Sequence, residues 1–221
     1  MAKSKQSAPR GLPPLLVIGM AFISGFCIMT VEMLGARIMA PYFGGSQYVW
    51  GSIITIFMLA LAIGYLFGGR LSTRNPNGVT YSLFFIGAAL LSLPIILFAD
   101  AIMRPIFLNI EDPRYGSLLA SIIMFFVPTS ILGMISPYSV RLLVQSQEHS
   151  GHMAGQLFFI STIGSAAGTL GTSFYFVLWF EVNQILWGSI AALFFAGCVT
   201  LLVDYLRNTA SHSKQVPHYD K

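Results

Sequence analysis

Six apolar runs, each long enough to cross a bilayer as a helix, alternate with short polar turns along this chain. A hydrocarbon core of roughly 30 Å takes about 20 helical residues. The runs cover Leu15 to Ile38, Val49 to Phe67, Val79 to Phe98, Leu118 to Ile135, Met153 to Phe180 and Gln184 to Tyr205. They are too long, and too rich in Leu, Ile, Phe, Gly and Ala, for the alternating strands of an outer-membrane barrel. The pattern predicts an all-α membrane protein, a six-transmembrane-helix bundle over residues 15–205. A basic N-terminus (1–14) and a polar tail (206–221) flank it. The fifth run exceeds a straight crossing, so it is expected to tilt or to begin as an interfacial helix. The stretch "DAIMRPIFLNIEDPRYG", residues 100–116, is the longest external loop and is expected to hold a short surface helix. The other loops are short, which leaves no room for a soluble domain.

Composition agrees with this reading. Hydrophobic residues make up 55% of the chain and charged ones 9%. A soluble domain carries about 25% charged residues, so this chain has too few to cover a water-facing surface. The charges also orient the bundle. With a cytoplasmic N-terminus, Lys3, Lys5, Arg10, Arg70, Arg74, Arg141, Arg207, Lys214 and Lys221 fall inside, and Arg37, Arg104 and Arg114 fall outside. By the positive-inside rule both termini are expected in the cytoplasm. Scattered at the ends of apolar runs, these bases give no nucleic-acid signal. The start "MAKSKQSAPRG" is basic, but the apolar run after it exceeds the roughly 7–15 residues of a signal peptide. It reads as a retained first span.

Candidate chemistry is sparse. Cys27 and Cys198 lie inside apolar runs and read as packing residues. His149, His152, His212 and His218 sit at cytoplasmic edges and read as solvated. No His/Cys/Glu grouping has metal-ligand spacing, and "GHMAG" lacks the strand a phosphate-binding loop requires. No cofactor is expected. Helix packing is better marked. Gly64 and Gly68 in the second span, and Gly164 and Gly168 in the fifth, form GxxxG pairs, and Ser161, Ser165 and Thr169 add a second small ridge. Small residues let backbones approach where lipid supplies no hydrophobic drive. The ridges serve contacts within one chain or the face of a homodimer.

One stretch breaks the apolar pattern: "VEMLGARIMAPYFGGSQYVWGS", residues 31–52. Charged groups inside a bilayer are costly and mark function by default. Glu32 and Arg37 would point about 140° apart on an unbroken helix, at roughly 100° per residue. Pro41, Gly44 and Gly45 predict that the helix ends or bends just beyond Arg37. Two arrangements then fit residues 41–52. One is a re-entrant, irregular segment folded into the bundle, and the other is an ordinary outer turn. In the second case Tyr42, Tyr48 and Trp50 form an aromatic belt and Arg37 snorkels.

The same stretch resembles the membrane region of the spermidine-synthase-like membrane proteins, the fused major-facilitator/spermidine synthases. The resemblance rests on Glu32, Ala36-Arg37, Ala40-Pro41-Tyr42-Phe43-Gly44, Val49-Trp50, and Gly64-Tyr65 through Gly68-Gly69-Arg70-Leu71. "STIGSAAGTLGTSF" in the fifth span is similar as well. Two positions depart from the family pattern. An Asp expected after Leu71 is replaced in Leu71-Ser72-Thr73-Arg74, and Ser161 stands for an Asn. The fused members carry a transferase domain after the membrane region, and this chain ends at Lys221 without one. The resemblance therefore implies the membrane module alone, in the cytoplasmic (inner) membrane of a bacterium or archaeon.

Three functions are compatible with these residues. The first is a transporter-like module for a small polar, cationic, polyamine-like solute, bound by Glu32, Arg37, Tyr42 and Trp50. Pro41, Gly44, Gly45, Gly64, Gly68, Arg70, Arg74, Arg141, Gly164 and Gly168 would then shape or gate it. Six spans would need a homodimer or a partner to complete a path. The second is a membrane anchor for a soluble spermidine-synthase-like or other transferase. The third, a membrane-embedded enzyme with Glu32 as base, lacks a nucleophile, a metal cluster or a second acid.

Overall fold

The structure is a computed structural model, described here for residues 12–74, 76–144 and 150–213. The basic N-terminus through Gly11, residues 214–221 of the polar tail, His149 and His218 lie outside these residues, as does the side chain of His212. Within them the chain is helical and contains no strand. The elements are α1 (Pro14–Phe43), α2 (Gln47–Ser72), α3 (Gly78–Leu97), α4 (Ala99–Asn109), α5 (Pro113–Leu143), α6 (Ser150–Gly171), a π-helical turn (Thr172–Phe176), α7 (Val177–Trp179) and α8 (Val182–Ser213). Six stretches are long and apolar enough to span a membrane: α1, α2, α3, α5, α6 continued through the π-turn into α7, and α8. The chain is a polytopic helical membrane bundle.

Local chemistry sets the ends. Proline opens both α1 and α5, where the missing N–H is not needed. Asn77 caps α3 by accepting from the Thr80 amide at 2.7 Å, and Asp112 caps α5 by accepting from Arg114 at 2.9 Å. The helices run beyond their apolar cores because backbone hydrogen bonding is cheapest to continue through the interface. α1 does not stop after Arg37. It continues through Pro41 to Phe43, because a proline in the last turn forfeits one backbone bond, to the Arg37 carbonyl, at an exposed site. The irregular segment is thus only Gly44–Ser46. Gly44 has φ of 77°, a left-handed value that favours glycine. Residues 100–116 hold α4 on the surface, with Met103 and Ile106 buried beneath it.

Six buried hydroxyls are satisfied along their own helices. Ser92, Ser121, Ser130, Ser139, Ser189 and Thr200 each donate to the carbonyl four residues back, at 2.7–3.0 Å. In lipid an unpaired hydroxyl would cost several kcal/mol. Asp204 sits against Gly78 at the start of α3 and accepts from Asn208 at 3.2 Å. The electropositive helix end favours that carboxylate.

Helix partners follow the small residues. A Cβ on Gly164 would collide with the Phe22 carbonyl, and one on Gly168 with the Phe26 carbonyl; Thr172 donates to Thr30 at 3.1 Å. Each pair shows the same sequence offset, so α1 and α6 run parallel in close contact. On the other side, Gly64 meets the Ser130 carbonyl and Gly68 meets Met134, so α2 and α5 are also parallel. Two further glycines complete the pattern. Gly25 of α1 faces the Ser161 carbonyl of α6, and Gly133 of α5 faces the Leu61 carbonyl of α2.

These contacts are the same set made twice. Adding 108 to Phe22, Gly25 and Phe26 gives Ser130, Gly133 and Met134. Adding 100 to Leu61, Gly64 and Gly68 gives Ser161, Gly164 and Gly168. In these contacts α5 and α6 therefore repeat α1 and α2. Because α1 is parallel to α6 and α2 to α5, the matching helices run in opposite directions and the repeat is inverted.

Candidate functional site

Glu32 lies on the stripe Gly25–Glu32–Met39, seven residues apart and so on one face of α1. Gly25 packs against Ser161 and Ser165 of α6, and the Met39 sulfur accepts from Ser121 Oγ of α5 at 3.4 Å. Glu32 is half-buried where α1 passes from one neighbour to the other. It stands about 5 Å beyond the midpoint of α1, at 1.5 Å per residue. Among the described residues none forms a hydrogen bond or ion pair with it. One turn further, Gly35 packs on the Phe125 ring of α5. Glu32 therefore adjoins the contact between the first helices of the two repeats.

Arg37 is exposed and makes no ion pair among the described residues. The structure does not bring it to Glu32, because the helix runs unbroken between them and turns the two side chains apart. Tyr42 and Trp50 are half-buried near the same end as Arg37. Tyr42 donates a hydrogen bond to Asp100 and meets Phe107 edge to face at 6.2 Å, so it ties α1 to α4. Phe43 meets Phe107 at 6.3 Å. Tyr48 holds Arg114 through a 3.0 Å hydrogen bond and a guanidinium 4.3 Å from its ring centre. Pro41, Gly44 and Gly45 are exposed in or beside the turn. This group is an aromatic, hydrogen-bonded rim at that end of the bundle, distinct from Glu32.

Arg70, Arg74 and Arg141 are exposed at the opposite end of the bundle, since α2 and α5 run parallel. Arg207 is at that end too, because α8 runs antiparallel to α3, as Gly78 beside Asp204 shows. Gly64, Gly68, Gly164 and Gly168 are buried in helix contacts inside the chain. His152 is exposed, with its ring nitrogen 3.0 Å from Gln156. Among the described residues no three His, Cys, Asp or Glu side chains converge to hold a metal ion.

The structure also assembles a cavity of about 330 Å³ between α1, the π-turn and α8, closed on one side by Phe180. It is lined by Phe26, Cys27, Thr30, Phe176, Gln184 and Ser189 among others. Cys27 donates to the Ser189 carbonyl at 3.8 Å, and Phe26 meets Phe176 edge to face at 6.2 Å. Next to it, Ser173 in the π-turn has a buried hydroxyl with no partner. Sequence reading did not pick out Thr30, Ser189 or the π-turn. One signal was available: Ile63-Gly64 with Gly68, and Ile163-Gly164 with Gly168, repeat one pattern in different spans.

Compared with family models, with characterised proteins and with solved structures, the chain matches none. Its class, a six-span helical membrane protein built as an inverted repeat, therefore rests on its own sequence and geometry.

Proposed function

We propose that this protein is a transport module that binds a small organic cation at Glu32. The observation that carries the reading is the inverted repeat with a lone carboxylate beside the contact of its two halves. Many secondary transporters are built from inverted repeats, with the solute site near the bilayer midplane where the repeats meet. A carboxylate at this depth costs about 2.5–3.5 kcal/mol on insertion scales. Water or a bound cation offsets that cost, and no side chain among the described residues does so. The end bearing Arg70, Arg74, Arg141 and Arg207 faces the cytoplasm by the positive-inside rule. A second copy would complete the path across the membrane. The resemblance of residues 31–71 to spermidine-synthase-like membrane proteins makes a polyamine the first solute to try.

The test is uptake of labelled spermidine, with tetraethylammonium as a second cation, into liposomes containing the purified protein. Wild type should take up at least one of them, and Glu32→Gln should lose at least ten-fold of that uptake with little change in melting temperature. Uptake unchanged in Glu32→Gln, or absent in wild type, would overturn the reading. Absent uptake would turn attention to an anchoring role for a soluble transferase.

A further inference from the structure

The two halves of the repeat agree in their glycine contacts but differ in what fills the space beside them. Five residues beyond Gly133 stands Tyr138. Five residues beyond Gly25, at the corresponding place, stands Thr30. Tyr138 is buried. Its ring stacks on Tyr81 with centroids 6.0 Å apart and planes 9° apart, and Phe84 meets it edge to face at 5.1 Å. Its hydroxyl takes a hydrogen bond from the Asn77 amide at 3.0 Å. Tyr81 in turn bonds Ser139 at 2.7 Å and packs on Phe85. The space between α5 of one half and α3 of the other is thus full of aromatic rings.

The corresponding space, between α1 and α8, is built with smaller residues. Counted from their first residues, Tyr81, Phe84 and Phe85 of α3 correspond to Ile185, Gly188 and Ser189 of α8. With Thr30 in place of Tyr138, four ring-bearing positions become Thr, Ile, Gly and Ser. The cavity of about 330 Å³ lies at these residues, all four of which line it. That volume falls at the small end of the range for ligand pockets, about 300–1,000 Å³.

The walls define the guest. Phe26, Phe176 and Phe180 supply aromatic faces and edges, and no lining residue is charged. Gln184 supplies exposed polar atoms, while Thr30 is fully buried with its hydroxyl taken up by Thr172. The π-turn positions two of the neighbours: it sets Phe176 against Phe26 and Thr172 against Thr30. Such turns occur often at functional sites. An organic cation would find no counter-charge here, so this is not the site of Glu32.

We propose that the cavity between α1, the π-turn and α8 binds a neutral aromatic ring bearing a hydroxyl or carbonyl group, drawn from the lipid phase. The ring takes the place corresponding to that of the Tyr138 ring between α5 and α3, and its polar substituent hydrogen-bonds at Gln184.

The probe is p-cresol, which is the tyrosine side chain freed from its backbone, with toluene as the partner lacking the hydroxyl. Melting curves of the purified protein in nanodiscs are followed against increasing probe. A ligand that binds only the folded state raises the melting temperature in a saturable way. Wild type should show a saturable rise with p-cresol and a weaker one with toluene. Gly188→Phe fills the cavity from a position where a Cβ meets nothing within 4 Å, and it should abolish the saturable rise. Thr30→Tyr should do the same if it folds; if it does not, Gly188→Phe alone carries the comparison. Glu32→Gln should keep the p-cresol response, so failure of the cation reading leaves this one standing. No saturable rise in wild type, or an equal rise in wild type and Gly188→Phe, would overturn the proposal.

Discussion

Gly25 of α1 and Gly133 of α5 make the same contact in the two halves of the molecule. Each would drive an added Cβ against a backbone carbonyl, that of Ser161 for Gly25 and that of Leu61 for Gly133. The neighbouring contacts of Gly64 with α5 and of Gly164 with α1 repeat in the same register. Backbones meet so closely only where side chains are absent, and in lipid such packing replaces the hydrophobic drive.

This packing can be tested with adjacent glycines. Gly68 faces Met134, with an added Cβ only 2.6 Å from its Cα, whereas Gly69 next to it has nothing within 4 Å. Gly68→Leu should destabilise the protein by about 1–3 kcal/mol or more, the scale of overpacking. Gly69→Leu should change stability little. Thermal or denaturant unfolding in detergent measures both, and equal effects would remove α2 from the contact.

The same contrast holds for the other half. Gly168→Leu should lower the melting temperature while leaving oligomeric state unchanged, because its partner Phe26 belongs to the same chain. Dissociation of an oligomer by this substitution, read by size-exclusion chromatography with light scattering, would contradict the intramolecular contact.

Glu32 and Arg37 should behave independently. They form no ion pair with each other, so the stability effects of Glu32→Gln and Arg37→Gln should add within about 0.3–0.5 kcal/mol. A coupling well above that in a double-mutant cycle would mean that the two charges meet.

Tyr138 fills, between α5 and α3, the counterpart of the space that stays open beside Thr30. Tyr138→Thr should cost about 3–5 kcal/mol, the range for emptying an aromatic site, and should open a second cavity. Added p-cresol should then restore part of the lost melting temperature. A cost below about 1 kcal/mol would mean that the neighbouring rings collapse into the space.

At the aromatic rim, Tyr42 joins α1 to Asp100 of α4. Tyr42→Phe should loosen α4 without unfolding the bundle. Hydrogen exchange of residues 99–109 should speed up while that of α2 and α5 stays slow. Unchanged exchange in α4 would place its anchorage in Phe107 and the buried Met103 alone.

The apolar runs by themselves determined the number of spans, the surface helix in residues 100–116 and the small-residue ridges. Bilayer thickness and close backbone approach leave those features few alternatives. They did not determine which helices pair. In a water-soluble helix polar residues mark the outer face, but here both faces are apolar: Leu59 and Leu66 are half-exposed while Ile53 and Phe57 are buried. Hydropathy cannot tell lipid from neighbour. Only the tertiary structure set α1 beside α6 and α2 beside α5, and left open beside Thr30 the space that Tyr138 fills at the corresponding place on α5. Each of these depends on how far apart two backbones lie, and that distance is fixed by contacts between residues roughly a hundred positions apart.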